Sequence, residues 1–249
     1  MYEGVFGRVV TCGPKPSSFN KNFKPDIIFE VESGHFSYEC LGIAMDTFPG
    51  YRGYVYGNDD MIINWWNFRN LDLNKIWQGS RIVDFRQDAY GSPIRNWIWW
   101  KTEMGLSACQ NFYTDLLRLG NASLIDHYTR NGKGRPRCGK GWTDFFYVPA
   151  ALAPQFRQLS TIAYKNKLYL EIAVHNILRC LDLESNFIVL DGVYLPDIGI
   201  KECDEVTFWK FYNSRHAFIH PFKLNLHLKY QRTEFKTRIL SLRDRLLAC

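Results

Sequence analysis

Gly53-Tyr54-Val55-Tyr56-Gly57-Asn58-Asp59-Asp60-Met61-Ile62-Ile63-Asn64-Trp65-Trp66-Asn67 is the stretch on which the fold turns. Residues 53–56 read as a short apolar strand that runs straight into a polar turn at Asn58-Asp59-Asp60. Upstream, Ile27 to Val31 reads as another short strand. A helix then starts near Ser33, with Tyr38, Leu41, Ala44, Met45 and Phe48 recurring at helical spacing until Pro49-Gly50 ends it. Strand, helix of about four turns, strand is the order of a crossover unit in a parallel sheet. Ligands of such sheets bind at the carboxyl ends of strands, and the 58–60 turn sits at that kind of position.

Working outward, Val5 to Cys12 reads as a further strand, closed by Gly13-Pro14. Residues 70–106 are aromatic and carry no clear period. Residues 107–119 form an amphipathic helix closed by Gly120-Asn121, residues 129–141 a basic Gly-rich loop, and residues 144–148 a strand stopped by Pro149. Helices are expected at 151–164 and 168–182, a strand-like run at 187–195, and an amphipathic basic helix at 229–247. The expected fold class is α/β: a mixed, mostly parallel sheet with helices on both faces. Neither an internal repeat nor a linker stands out, so residues 1–249 are expected to form one domain, with a donor and metal half (1–106) and an acceptor half (107–249).

Apolar residues make up 46% of the 249 and charged residues 22%, which excludes a disordered chain. Aromatic content is high at 16%, with eight Trp, concentrated at Trp65-Trp66 and Trp97-Ile98-Trp99-Trp100. Such rings build cores, and they also pack on the apolar faces of sugars. The formal charge of +6 is spread along the chain, which favours small anionic partners and argues against nucleic acid. The seven cysteines include no C-x-x-C pair, so a zinc knuckle is not expected, and their spacing leaves the compartment open. Asn121-Ala122-Ser123 is an N-x-S sequon. No run of 18 apolar residues is present, and the first residues do not read as a signal peptide.

Two adjacent carboxylates on a turn after an apolar strand cannot both enter a core unpaired. They suit a hard cation bound to a diphosphate, or the cap of a following helix; the residues alone leave both readings open. Glu171, between Leu170 and Ile172 on an apolar helix, is a candidate base because burial would raise its pKa, or else a solvent-facing helix residue. Asp144 and Asp191 lie in strand-like contexts and are reserve candidates. Residues 134–141 (GRPRCGKG) nearly spell a P-loop, but Gly141 stands where Ser or Thr is needed and a strand follows. A solvated loop or a basic lid over a diphosphate is expected instead.

The 53–67 stretch resembles the D-x-D region of GT-A-type glycosyltransferases, in particular poorly characterised eukaryotic, STELLO-like members. Three further segments are similar in the same order: Thr143 to Pro149 to the strand lining the acceptor side, Leu168 to Val174 to a helix with an acidic residue near the acceptor, and Phe218-Ile219-His220-Pro221-Phe222-Lys223 to a late HP-x-K run. The resemblance implies that Asp60, Asp59 and His220 hold Mn²⁺ or Mg²⁺, imidazole suiting Mn²⁺ better. It implies that Asn58 and Asp59 contact the donor ribose, that Lys223 meets the diphosphate as a point charge, and that Glu171 serves the acceptor hydroxyl, with Asp144 the reserve catalytic candidate. Asn58 stands where the family often has its first Asp. The implied function is transfer of a sugar from a nucleotide-sugar donor to a glycan or glycoprotein acceptor in the Golgi or secretory lumen, with membrane attachment through a segment outside this chain. A homo- or hetero-oligomer is compatible with it. Only 57 residues precede Asn58, shorter than the usual nucleotide-binding region, which leaves open a chain truncated at its N-terminus and a reduced homologue without activity. Competing readings are a non-catalytic carbohydrate-binding or complex-forming homologue and a nucleotidyltransferase.

Overall fold

The computed structural model describes residues 5–15, 24–79, 84–86, 97–195, 205–222, 237–238 and 241. In chain order its elements begin with β1 (Cys12–Gly13), β2 (Ile27–Ile28), α1 (Ser37–Thr47), β3 (Gly53–Gly57), β4 (Ile62–Ile63), β5 (Trp77–Gln78) and β6 (Asp84–Arg86). Then come α2 (Leu106–Leu119), α3 (Ala122–Asn131), β7 (Cys138–Lys140), β8 (Phe145–Pro149), α4 (Ala153–Lys165) and α5 (Leu170–Leu181). β9 (Ile188–Val189), β10 (Gly192–Tyr194), α6 (Glu205–Phe211) and β11 (Phe218–His220) complete the order. These pack as two compact units: Val10–Tyr56 with Leu73–Ile188, and Met1–Val9 with Gly57–Asp72 and Val189–Cys249.

The larger unit is built around α5. Ten of its side chains from Ile172 to Leu181 are buried, because the helix lies under the other helices and under the sheet. The core joins Phe36, Tyr38, Leu41 and Met45 of the first helical region to Phe112 and Leu116 of α2, Phe146 and Val148 of β8, and Phe156 and Leu159 of α4. Gly42 lets α1 lie close on α4, since a Cβ there would collide with the Ser160 hydroxyl. Facing that approach, Glu39 is buried and satisfied by Arg157 Nη1 at 2.6 Å and Ser160 Oγ at 2.7 Å. α2 ends where Gly120 takes a left-handed φ of +71°. α3 starts at once, its first turn capped by the Asn121 side chain.

Two disulfides brace this unit, Cys12–Cys40 and Cys109–Cys138. The second ties α2 to β7 across a sequence separation of 29, and the Tyr128 hydroxyl lies against both sulfurs. Closing a loop of that length in the unfolded chain stabilises the fold by about 3–4 kcal/mol. Cys109→Ala with Cys138→Ala is therefore expected to lower the melting temperature by about 10 °C in calorimetry. An unchanged melting temperature would show that the bridge does not constrain the unfolded chain.

The α/β class holds, but the sheets are mixed rather than mostly parallel. β1 and β2 pair in parallel, β5 and β6 run antiparallel to β8 and β7, and a four-stranded sheet has the order β3-β8-β5-β9. The expected crossover unit does not form: β2 and β3, on either side of α1, lie in different sheets. β8, a fully buried five-residue run, takes β3 as one neighbour, while β5, from the aromatic stretch without a period, takes the other edge. Only long-range pairing decides this, and local strand order cannot reveal it. α3 stands where the sequence predicts no helix, and its last turn enters the expected basic loop. The expected 229–247 helix lies almost wholly outside the described residues.

The smaller unit holds a three-stranded sheet, β10-β11-β4, parallel between β10 and β11 and antiparallel between β11 and β4. Ile62, Leu195, Phe208, Ile219 and Phe222 form its core. Among the described residues no helix is long and apolar enough to cross a membrane.

Candidate functional site

In the smaller unit, Ile62 pairs with Ile219 and Ile63 with Phe218. The pairing runs on beyond the ladder, since the Phe222 N–H donates to the Asp60 carbonyl at 2.6 Å. This register brings Asp60 and His220 together, and Nε2 of His220 lies 3.1 Å from Oδ1 of Asp60. A carboxylate only accepts, so in this pairing the ring carries its proton on Nε2. The imidazole side chain is 10% exposed and the carboxylate 25%, so the pair is sheltered yet reachable. Asn58 is half-buried and Asp59 is exposed. Among the described residues no group of three His, Cys, Asp or Glu side chains is gathered tightly enough to hold a metal alone. Lys223 lies outside the described residues.

What holds the pair in place was not read from the sequence. Asn64 is fully buried and donates to the carbonyls of His216 at 2.8 Å and Asn213 at 3.3 Å. Asn67 donates to Ser214 and His216, and the Trp66 indole N–H donates to Ser214 at 2.9 Å. Tyr212 closes the network by donating to Asn64 Oδ1 at 3.2 Å. The polar atoms of Asn64-Trp65-Trp66-Asn67 thus fix the 213–216 turn that leads into β11, and so fix His220. Two Asn flanking a Trp pair just beyond β4 were the available signal.

The larger unit carries a second cluster. Tyr169 caps the N-terminal end of α5, and Glu171 stands half-buried in the first turn. Burial first, then the charges of Glu171 and Asp144, hold the Tyr169 phenol well above its ordinary pKa, which places both carboxylates near this one ring. Asp144 is itself buried, at the foot of β8. Trp99 stacks on Tyr169 with centroids 4.3 Å apart, and His35 packs edge-on against both rings at 5.0 and 5.3 Å. Lys140 Nζ sits 4.2 Å from the centroid of Trp97. Trp100 belongs to the core, so only Trp97 and Trp99 of the aromatic run offer partial surface.

Part of the basic loop is pinned rather than solvated. Asn176 of α5 accepts from Gly139 N–H at 3.1 Å and donates to its carbonyl at 2.9 Å, while Arg179 donates to the Arg137 carbonyl at 3.0 Å. Gly141 donates to the Glu171 carbonyl at 3.2 Å and has no room for a Cβ against the His175 ring. Residues 133–136 are exposed. Asp191 lies in the smaller unit, with a carboxylate oxygen 3.9 Å from Nε2 of His216.

His175 adds a pH signature. Its burial, reinforced by the charges of Arg179 and Lys140, pushes its pKa down to about 3. The unfolded chain titrates near pH 6.5. Between those values the unfolded state binds a proton that the folded state refuses, so stability falls as pH drops below about 6.5. The expected loss from this group at pH 5 is about 2 kcal/mol, read by urea unfolding, and His175→Gln is expected to flatten the slope. Parallel curves for both proteins would rule out His175 as the source.

No protein-family model and no solved structure matches the chain. Two curated proteins of Arabidopsis thaliana are similar to it. "Probable glycosyltransferase STELLO1" is 21% identical over 235 residues, covering 90% of this chain and 27% of that protein. "Probable glycosyltransferase STELLO2" is 20% identical over 193 residues, covering 75% of this chain and 23% of that protein. The chain therefore spans about a quarter of the length of these relatives. The relationship is glycosyltransferase-like at the family level.

Proposed function

We propose that this chain carries the metal-dependent catalytic part of a glycosyltransferase, moving a sugar from a nucleotide-diphosphate donor to a glycan or glycoprotein acceptor. The observation that carries the reading is the Asp60–His220 pair, a sheltered carboxylate in the turn before β4 and an imidazole at the end of β11, 3.1 Å apart. One or two protein donors are what a divalent ion needs when diphosphate and water supply the rest. A bound Mn²⁺ or Mg²⁺ would supply positive charge to the departing nucleotide diphosphate. Asp60 and His220 would hold it, the Nε2 proton of His220 being released as the ion takes its place. Asn58 and Asp59 accept hydrogen bonds from the donor ribose, and Lys223 meets the diphosphate. Glu171 orients the acceptor hydroxyl and takes its proton, with Asp144 as a second carboxylate beside Tyr169. The exposed parts of Trp97 and Trp99 pack on an acceptor sugar. Two disulfides belong with an oxidising compartment, which supports residence in the Golgi or another secretory lumen.

The test is donor cleavage across a panel of nucleotide sugars, with Mn²⁺ and with EDTA. The expected result is metal-dependent release of a nucleotide from one donor. Release of pyrophosphate from a nucleoside triphosphate would assign a nucleotidyltransferase instead. Silence from folded protein, with sugar binding unaffected by EDTA, would assign a non-catalytic carbohydrate-binding homologue.

A further inference from the structure

We propose that Asn121 is an N-glycosylation site, modified by a lipid-linked oligosaccharide; the proposal rests on the lumenal part of the reading above. The sequon Asn121-Ala122-Ser123 stands at the start of α3, and all three residues are exposed. Asn121 uses only one end of its amide in the fold, where Oδ1 accepts from the Leu124 N–H at 3.3 Å. No hydrogen bond among the described residues engages its Nδ2. Sugar attachment consumes that nitrogen and keeps the carbonyl, so the helix cap survives modification. Gly120, at φ +71°, turns the chain sharply between α2 and α3 and leaves the sequon on a helix–helix corner, where a bulky glycan meets solvent. An independent observation is that Cys109, on the preceding α2, is in a disulfide, which marks the compartment in which such transfer occurs. In the step, Nδ2 of Asn121 forms a bond to the anomeric carbon. The bond from that carbon to the lipid diphosphate breaks, and the diphosphate leaves as the amide loses one proton.

The test is peptide mass spectrometry on the full-length protein expressed in a eukaryotic host, after amidase release of glycans in heavy-oxygen water. The expected result is conversion of Asn121 to isotopically labelled Asp, abolished by Ser123→Ala, which leaves the capping residue intact. An unmodified Asn121 in protein whose Cys109–Cys138 bridge has formed would overturn the proposal, because the chain then reached the lumen and was refused. An unmodified Asn121 with both cysteines reduced would overturn it together with the lumenal reading. Asp60→Asn is expected to leave occupancy unchanged, so failure of the catalytic reading and failure of this site are separable.

Discussion

Asp60→Asn is expected to lower metal-dependent donor cleavage by about 10²–10³-fold, the usual cost of removing one group that stabilises developing charge. The substitution is nearly isosteric. An amide oxygen still accepts from His220 Nε2–H, and the backbone bond from Phe222 to the Asp60 carbonyl is untouched. The strand register that builds the pair should therefore survive, and the melting temperature should stay close to that of the wild type. What is lost is the negative charge that competes for a divalent ion. Titration of Mn²⁺ against both proteins reads this directly: weaker binding together with the fall in rate is the expected outcome. Equal Mn²⁺ affinity would remove Asp60 from the metal site, and a collapsed melting temperature would show that its role is in the fold.

Some of this was legible from local pattern and some was not. The helix expected at 107–119 is α2 at Leu106–Leu119, because its apolar stripe and terminal Gly120 are both local signals. The same holds for α5, expected at 168–182 and found at Leu170–Leu181. α3 was missed although Asn121 caps it and Leu124 and Tyr128 recur four apart, since the basic, Gly-rich run after it dominated the reading. Strands of two or three residues, such as β4, β5 and β6, carry too little period to be read at all. Their partners are set by pairing across long separations, and this is why a parallel crossover unit was expected where mixed sheets stand. The same limit applies to the site. Asp60 and His220 are 160 positions apart and meet only through the β4–β11 pairing, so resemblance could name them but spacing could not. The disulfide partners were equally open, because seven cysteines at wide spacing admit many pairings.

The acceptor side makes the second large prediction: Glu171→Gln is expected to lower kcat by about 10²–10⁴-fold, the range that proton transfer to a positioned base contributes. Gln keeps the length of the side chain and tolerates the first turn of α5. The Gly141 N–H bond to residue 171 uses the backbone carbonyl, so it is unaffected. KM should change little, since the proton acceptor is needed at the transition state and not for holding the acceptor. The acid limb of kcat/KM against pH, where the base becomes protonated, should disappear in the variant, and Mn²⁺ affinity should stay as in the wild type. That last readout separates the two carboxylates: the Asp60 variant is expected to lose metal affinity and rate together, the Glu171 variant the rate alone. Asp144 is the internal control, because it lies near the same Tyr169 ring but is buried at the foot of β8. Asp144→Asn leaving the acid limb intact would keep Glu171 as the base. An unchanged kcat in Glu171→Gln, with the limb lost in Asp144→Asn, would move that role to Asp144 and leave Glu171 only a neighbouring charge.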